Sequence, residues 1–193
     1  MMTSSLTFVL AAAIKSYLPA VTVERSMLVS HDIIGVVQTA FEEKSIKNIA
    51  GSNIAIALLS GAIVGESGIR EDIETCKVTG DRGRSIGLGQ VMNGPNWMGY
   101  TRREICSDRK IQLKIALHAL DTCAKGMKDS ASVFRCYTTG DRRKDSYVAR
   151  YENRVSNEID ASIFLSDYID QVRRGMLQQY IRQYPSRSSV IFF

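Results

Sequence analysis

The chain has 193 residues, of which 45% are hydrophobic, 23% are charged and three are prolines, and its formal net charge is +5. That length suffices for one domain with a sizeable core, and the composition excludes a disordered chain in favour of a soluble, helix-rich globular one. The basic balance, with a pI near 9.1, favours acidic partners such as nucleic acid, a membrane surface or an anionic wall polymer, without choosing among them.

The first apolar run, Leu6 to Ile14, falls short of the roughly 18 consecutive apolar residues of a membrane span, so no stable span is expected. It reads as a packed helix. The other reading, the apolar core of a signal peptide, finds no lysine or arginine in Met1 to Ser5. His31 to Phe41 then places Ile33, Ile34, Val37 and Phe41 on one helical face. Ser52 or Asn53 would cap the next helix, whose run "IAIALLSGAIVGES" is apolar almost all round and is therefore central. This helix delivers Glu66 to its own end. Apolar neighbours there would disfavour the ionised carboxylate and suit it to general acid work, the alternative being an exposed helix-end glutamate.

From Gly68 to Gly99 glycines break any helical period, which predicts a functional loop region with a short hairpin. Thr101 and Glu104 have the spacing of a capping box for a short helix. Ser107 or Asp108 would cap a longer helix carrying Ile111, Ile115 and Leu120. Helical patterns follow at Ser130 to Tyr137, Ser146 to Ile159 and Ile163 to Tyr180. The tail from Pro185 to Phe193 has no pattern, and its "SSVIFF" end would be either a clip onto the domain or a docking segment for a partner.

Cys76, Cys106, Cys123 and Cys136 lack CxxC spacing and, with only His31 and His118 beside them, offer little to a metal site; no metal is expected. Two disulfides and four buried thiols both remain open. The pattern C-x-x-T-G-D-R occurs at 76–82 and again at 136–142, which suggests two helix-end loops facing one cleft with Cys76 bonded to Cys136 across it. The pairing expected is then Cys76 with Cys136 and Cys106 with Cys123. A zinc or cysteine peptidase has no HExxH and no Cys/His signature to rest on. The basic clusters Arg102-Arg103, Arg142-Arg143-Lys144 and Arg173-Arg174 come without a nucleic-acid-binding signature and read as solvated faces, so no nucleic acid partner is expected.

Four elements, in order, resemble the signature of the lysozyme-like lytic transglycosylases: Glu66-Ser67-Gly68, Gly87-Leu88-Gly89-Gln90, Cys136-Tyr137-Thr138-Thr139-Gly140 and Tyr147-Val148. The nearest flavour is the branch associated with type IV secretion, and phage lysins share the fold. The likeness covers about residues 50 to 155. It implies a mainly α, lysozyme-like helical domain spanning 1–193, with one long glycine-rich loop or small hairpin lining the cleft. Residues 1–45 would be an N-terminal helical extension, 50–155 the catalytic core and 160–193 a C-terminal helical segment. It also implies cleavage of the MurNAc–GlcNAc linkage of peptidoglycan without a cofactor, in the bacterial periplasm or cell envelope, by a monomer that serves as a virion component or meets a virion or secretion-system partner.

Carried over by residue, Glu66 is the acid and base, Tyr137 orients it, and Ser67, Gln90, Met92, Thr138 and Tyr147 contact the glycan. Thr138 and Thr139 depart from the usual asparagine and alanine. The "GDRG" at 80–83 also resembles goose-type lysozymes, in which Asp81 would position water if it lay roughly 6.5–9.5 Å from Glu66. The residue-level reading of Asp81 is a turn, and Met92 stands where goose-type enzymes carry a second aspartate. Trp97 would either stack on a sugar or pack in the core. Peptidoglycan endopeptidase activity, and a helical module that binds wall or nucleic acid without catalysis, are the remaining alternatives.

Overall fold

The computed structural model describes residues 2–94, 97–127 and 129–139. Among them the chain is mainly helical: α1 (Met2–Tyr17), α2 (Val23–Glu42), α3 (Ser52–Ser67), the single turn α4 (Glu71–Glu74), α5 (Arg102–Ser107), α6 (Arg109–Ala124) and α7 (Ser130–Thr139), with one hairpin, β1 (Ser85–Ile86) and β2 (Val91–Met92). None of the described helices is long and apolar enough to cross a membrane.

Local signals set most helix starts. Thr22 begins α2 by accepting a hydrogen bond from the Arg25 backbone N–H at 3.1 Å, nine residues earlier than the apolar pattern at His31 suggests. Thr101 and Glu104 form the reciprocal capping box expected for α5, and the Asp108 side chain caps α6 through the Lys110 N–H at 2.7 Å. At α3 the cap lies at Gly51, not at Ser52 or Asn53, and no side chain closes it.

α3 is the central element. Every residue from Ala55 to Val64 is buried, because α2 and α6 pack against it and no face is left to solvent. α1 lies along α2, and α5 and α7 pack on α6. Leu10 and Ile14 of α1 and Ile33, Ile34 and Val37 of α2 belong to the same apolar cluster as Leu59, Ile63, Leu113 and Phe134. Residues expected as an N-terminal extension therefore build the core.

Two disulfides fix the ends of α6, and they correct the expected pairing: Cys76 joins Cys106, and Cys123 joins Cys136, with Cα separations of 5.5 and 5.6 Å. The reason is geometric. Cys106 and Cys123 flank opposite ends of α6, a 16-residue helix that is about 24 Å long, whereas a disulfide needs Cα atoms within roughly 7 Å. Cys76 sits at the N-terminal end of α6 and Cys136 at the C-terminal end, so they cannot meet either, and the two CxxTGDR copies are not bonded across a cleft.

Candidate active site

The apolar sequence of α3 carries Glu66 into the last helical turn. Gly68 ends the helix in the left-handed conformation, at φ 57°, and its N–H bonds the Val64 carbonyl at 2.9 Å. Ser67 is buried, donating to the Ile63 carbonyl at 2.8 Å and accepting from the Ile69 N–H at 3.2 Å. Its hydroxyl is engaged in holding the helix end. Glu66 is half-buried, and its Oε2 is withdrawn from solvent.

The exit from α3 is secured from outside. Arg25, in the first turn of α2, donates its Nε to the Ile69 carbonyl at 2.9 Å and pairs with Glu74. Glu74 in turn receives Arg109 Nε at 3.0 Å and Nη2 at 2.8 Å, while Arg109 Nη1 reaches Asp32 at 2.9 Å. These four side chains are only 10–17% exposed. Burial alone would lower the Arg109 pKa, but the Glu74 and Asp32 carboxylates outweigh it and hold it above its usual value. The network ties α2, α4 and the start of α6 to the segment that follows Glu66.

The glycine-rich region contains the expected hairpin. β1 and β2 pair antiparallel, Ser85 with Met92 and Ile86 with Val91, and Gly87–Gln90 is the loop that joins them. Two glycines there are required. Gly87 has φ +71°, and a Cβ on it would stand 2.8 Å from the Gln112 side chain; a Cβ on Gly89 would meet Ala116 Cβ and Tyr137 Oη, each at 2.7 Å. Leu88 between them is fully buried. Tyr137 donates its hydroxyl to the Gly89 carbonyl at 2.6 Å, which brings α7 against this part of the loop. Gln90 folds back, donating Nε2 to the Gly87 carbonyl at 2.9 Å and placing its side chain against Gly80.

Asp81 has a turn role. It and Arg82 are left-handed, at φ 47° and 58°, and its Oδ2 accepts from Ser85 Oγ at 2.6 Å, closing a tight loop in which Gly80 and Ser85 exchange backbone hydrogen bonds. Met92 is 46% exposed on β2, and Thr138 is half-buried on α7. Tyr147 and Gly140 lie outside the described residues, as do the helical patterns after residue 140. Trp97 takes the packing role: it is 9% exposed and its Nε1 donates to the Val91 carbonyl at 3.1 Å.

Two structural residues escaped sequence reasoning. Gln112, 3% exposed on α6, accepts from the Leu88 N–H at 2.8 Å and donates to the carbonyls of Glu74 at 2.8 Å and Ile105 at 2.7 Å. Asp121, 6% exposed, accepts from the backbone N–H groups of Lys47, Asn48 and Ile49 and from Asn48 Nδ2, which fastens the turn that enters α3. Neither has a local signal: Gln112 has Lys110 and Lys114 on either side of its apolar neighbours, and Asp121 is followed by exposed Thr122.

All four cysteines are in disulfides, so the chain has no thiol nucleophile for a cysteine peptidase. His31 is 68% exposed at its side chain, and His118 lines a pocket of about 200 Å³ between α2 and α6. No protein-family model matches this chain, and neither a curated protein nor a solved structure does.

Proposed function

We propose that this protein is a peptidoglycan-cleaving glycosidase of the lytic transglycosylase type with a lysozyme-like fold, acting in the bacterial cell envelope in local wall opening or in phage entry or lysis. The observation that carries the reading is the setting of Glu66. It ends a helix buried on all sides, is itself half-buried, and keeps one carboxyl oxygen away from water. A carboxyl group partly withdrawn from solvent at a helix end is the kind of group that serves as a general acid. The hairpin loop of Gly87–Gln90, bonded to Tyr137, supplies the second support, because the ordered motifs of the resemblance fall on it.

In this reading Glu66 gives its proton to the glycosidic oxygen as the bond from MurNAc C1 breaks, and GlcNAc leaves with a free hydroxyl. The resulting carboxylate takes the proton of the MurNAc 6-hydroxyl, whose oxygen closes on C1 to give the anhydro sugar. Proton and oxygen balance without water or cofactor, and Glu66 ends as it began. Gln90 and Thr138 would contact the glycan, and Tyr137 would position the loop. Hydrolysis through Asp81 is the second reading; the Asp81 carboxylate already serves Ser85, which favours the transglycosylase.

Replacing Glu66 with Gln keeps the size and removes the transferable proton. The variant is expected to melt like the parent and to lose lysis of purified peptidoglycan; near-normal lysis would refute the role.

A further inference from the structure

Beside the hairpin, three arginines gather around the Asp81–Gly83 turn. Arg82 and Arg84 are exposed on the turn itself, and Arg102 reaches from α5 to donate Nη1 to the Gly83 carbonyl at 3.1 Å, which sets its guanidinium against the same loop. Arg84 Nε leans on the Asp81 carbonyl at 3.3 Å. The acids within these two segments are already engaged: Asp81 by the Ser85 hydroxyl, and Glu104 by the Thr101 N–H and hydroxyl, which hold the Glu104 carboxyl below its usual pKa. Among the described residues no carboxylate lies within 4.0 Å of any of the three guanidinium groups. Elsewhere Arg25, Arg70 and Arg109 all have carboxylate partners. Arg82 and Arg84 at the turn and Arg102 from α5 thus present guanidinium groups without a carboxylate partner among the described residues, and their planar donor sets suit carboxylates.

We propose that Arg82, Arg84 and Arg102 form a carboxylate-binding surface that takes the peptide stems carried by the glycan strand. The occupant follows from position and charge. The turn is joined to the hairpin loop through Gly80, against which Gln90 packs, so a polymer lying along that loop would present its side branches here. Single-stranded nucleic acid is the less fitting occupant, because Trp97 is buried and its ring is not open to stack on bases. The polymer's identity rests on the peptidoglycan reading; the anion site itself does not.

The test is co-sedimentation with insoluble peptidoglycan on ice at low ionic strength, before and after the stem carboxylates are amidated, using the parent and the double variant Arg82→Gln, Arg84→Gln. Arg102 is kept because it holds the turn. The parent is expected to bind native peptidoglycan about fivefold more tightly than the amidated form, and the double variant to bind both alike with an unchanged melting temperature. Equal binding of native and amidated material by the parent, or parent-like binding by the variant, overturns the proposal. So does loss of duplex-DNA retention in the variant with peptidoglycan binding intact. Muropeptide release measured in parallel separates the two claims: carboxylate-dependent binding without cleavage removes the enzymatic reading and upholds this surface, and cleavage without that dependence does the reverse.

Discussion

Replacement of Gln112 should dismantle the support of the hairpin loop. Its amide satisfies three backbone groups on three different segments, the Leu88 N–H and the carbonyls of Glu74 and Ile105. Gln112→Ala leaves these without their partner and opens a void. At about 1–3 kcal/mol for each buried group left unsatisfied, with partial relaxation, the loss is about 4 kcal/mol. For a chain of this size that corresponds to a fall in melting temperature of roughly 8–16 °C. Gln112→Glu is the sharper probe because it keeps shape and the acceptor for Leu88 but points an oxygen at two carbonyls. The new carboxyl would be favoured protonated, so its folded pKa lies above the unfolded one. The damage should therefore be small at acid pH and grow as pH rises through that folded value. Thermal denaturation followed by circular dichroism at pH 4.5 and 7.5 reads both effects. A fall of less than 3 °C for the alanine variant, or a pH-independent deficit for the glutamate variant, would refute the reasoning.

Gly89→Ala puts a methyl 2.7 Å from both Ala116 Cβ and Tyr137 Oη, and is expected to cost about 1–3 kcal/mol and most of any lytic activity, read by melting and by turbidity loss of wall suspensions. Removing Cys76–Cys106, which closes a sequence separation of 30, should cost about 3.6 kcal/mol, against about 2.9 for Cys123–Cys136 with its separation of 13. Non-reducing peptide maps should show these links, and a peptide joining Cys76 to Cys136 would contradict the fold. Glu104, whose carboxyl is held below its ordinary value by the Thr101 hydroxyl and N–H, should stabilise α5 at neutral pH and lose that contribution as pH falls below about 4.5 through its depressed folded pKa. The stability gap between the parent and Glu104→Gln should accordingly close in acid; a gap that persists there would show that charge is not its source.

Features carried by local chemistry were legible in the sequence. The Thr101–Glu104 box, the Asp108 cap, the central character of α3 and a hairpin within 68–99 all follow from residues within a few positions of one another. The disulfide pairing was not legible in the CxxTGDR repeat, because the length of α6 keeps the expected partners apart. Long-range satisfaction was not legible: Arg109 meets Asp32 across 77 residues and Asp121 meets Asn48 across 73, and nothing local distinguishes such a side chain from a solvated one. For the candidate site, the bond from Tyr137 to the Gly89 carbonyl was not legible, since the resemblance assigns Tyr137 to orienting Glu66. Nor was it legible that Ser67 would be spent inside the helix end, since a hydroxyl's partner depends on the turn that follows it.

The central claim is that Glu66 cuts the glycan strand without water. Its most direct measurement is mass spectrometry of the soluble products of purified peptidoglycan, digested by the parent and by Glu66→Gln. The account predicts fragments ending in 1,6-anhydro-MurNAc from the parent and none from the variant. Reducing-end sugars would contradict the mechanism, and intact glycan with cut peptides would contradict the function.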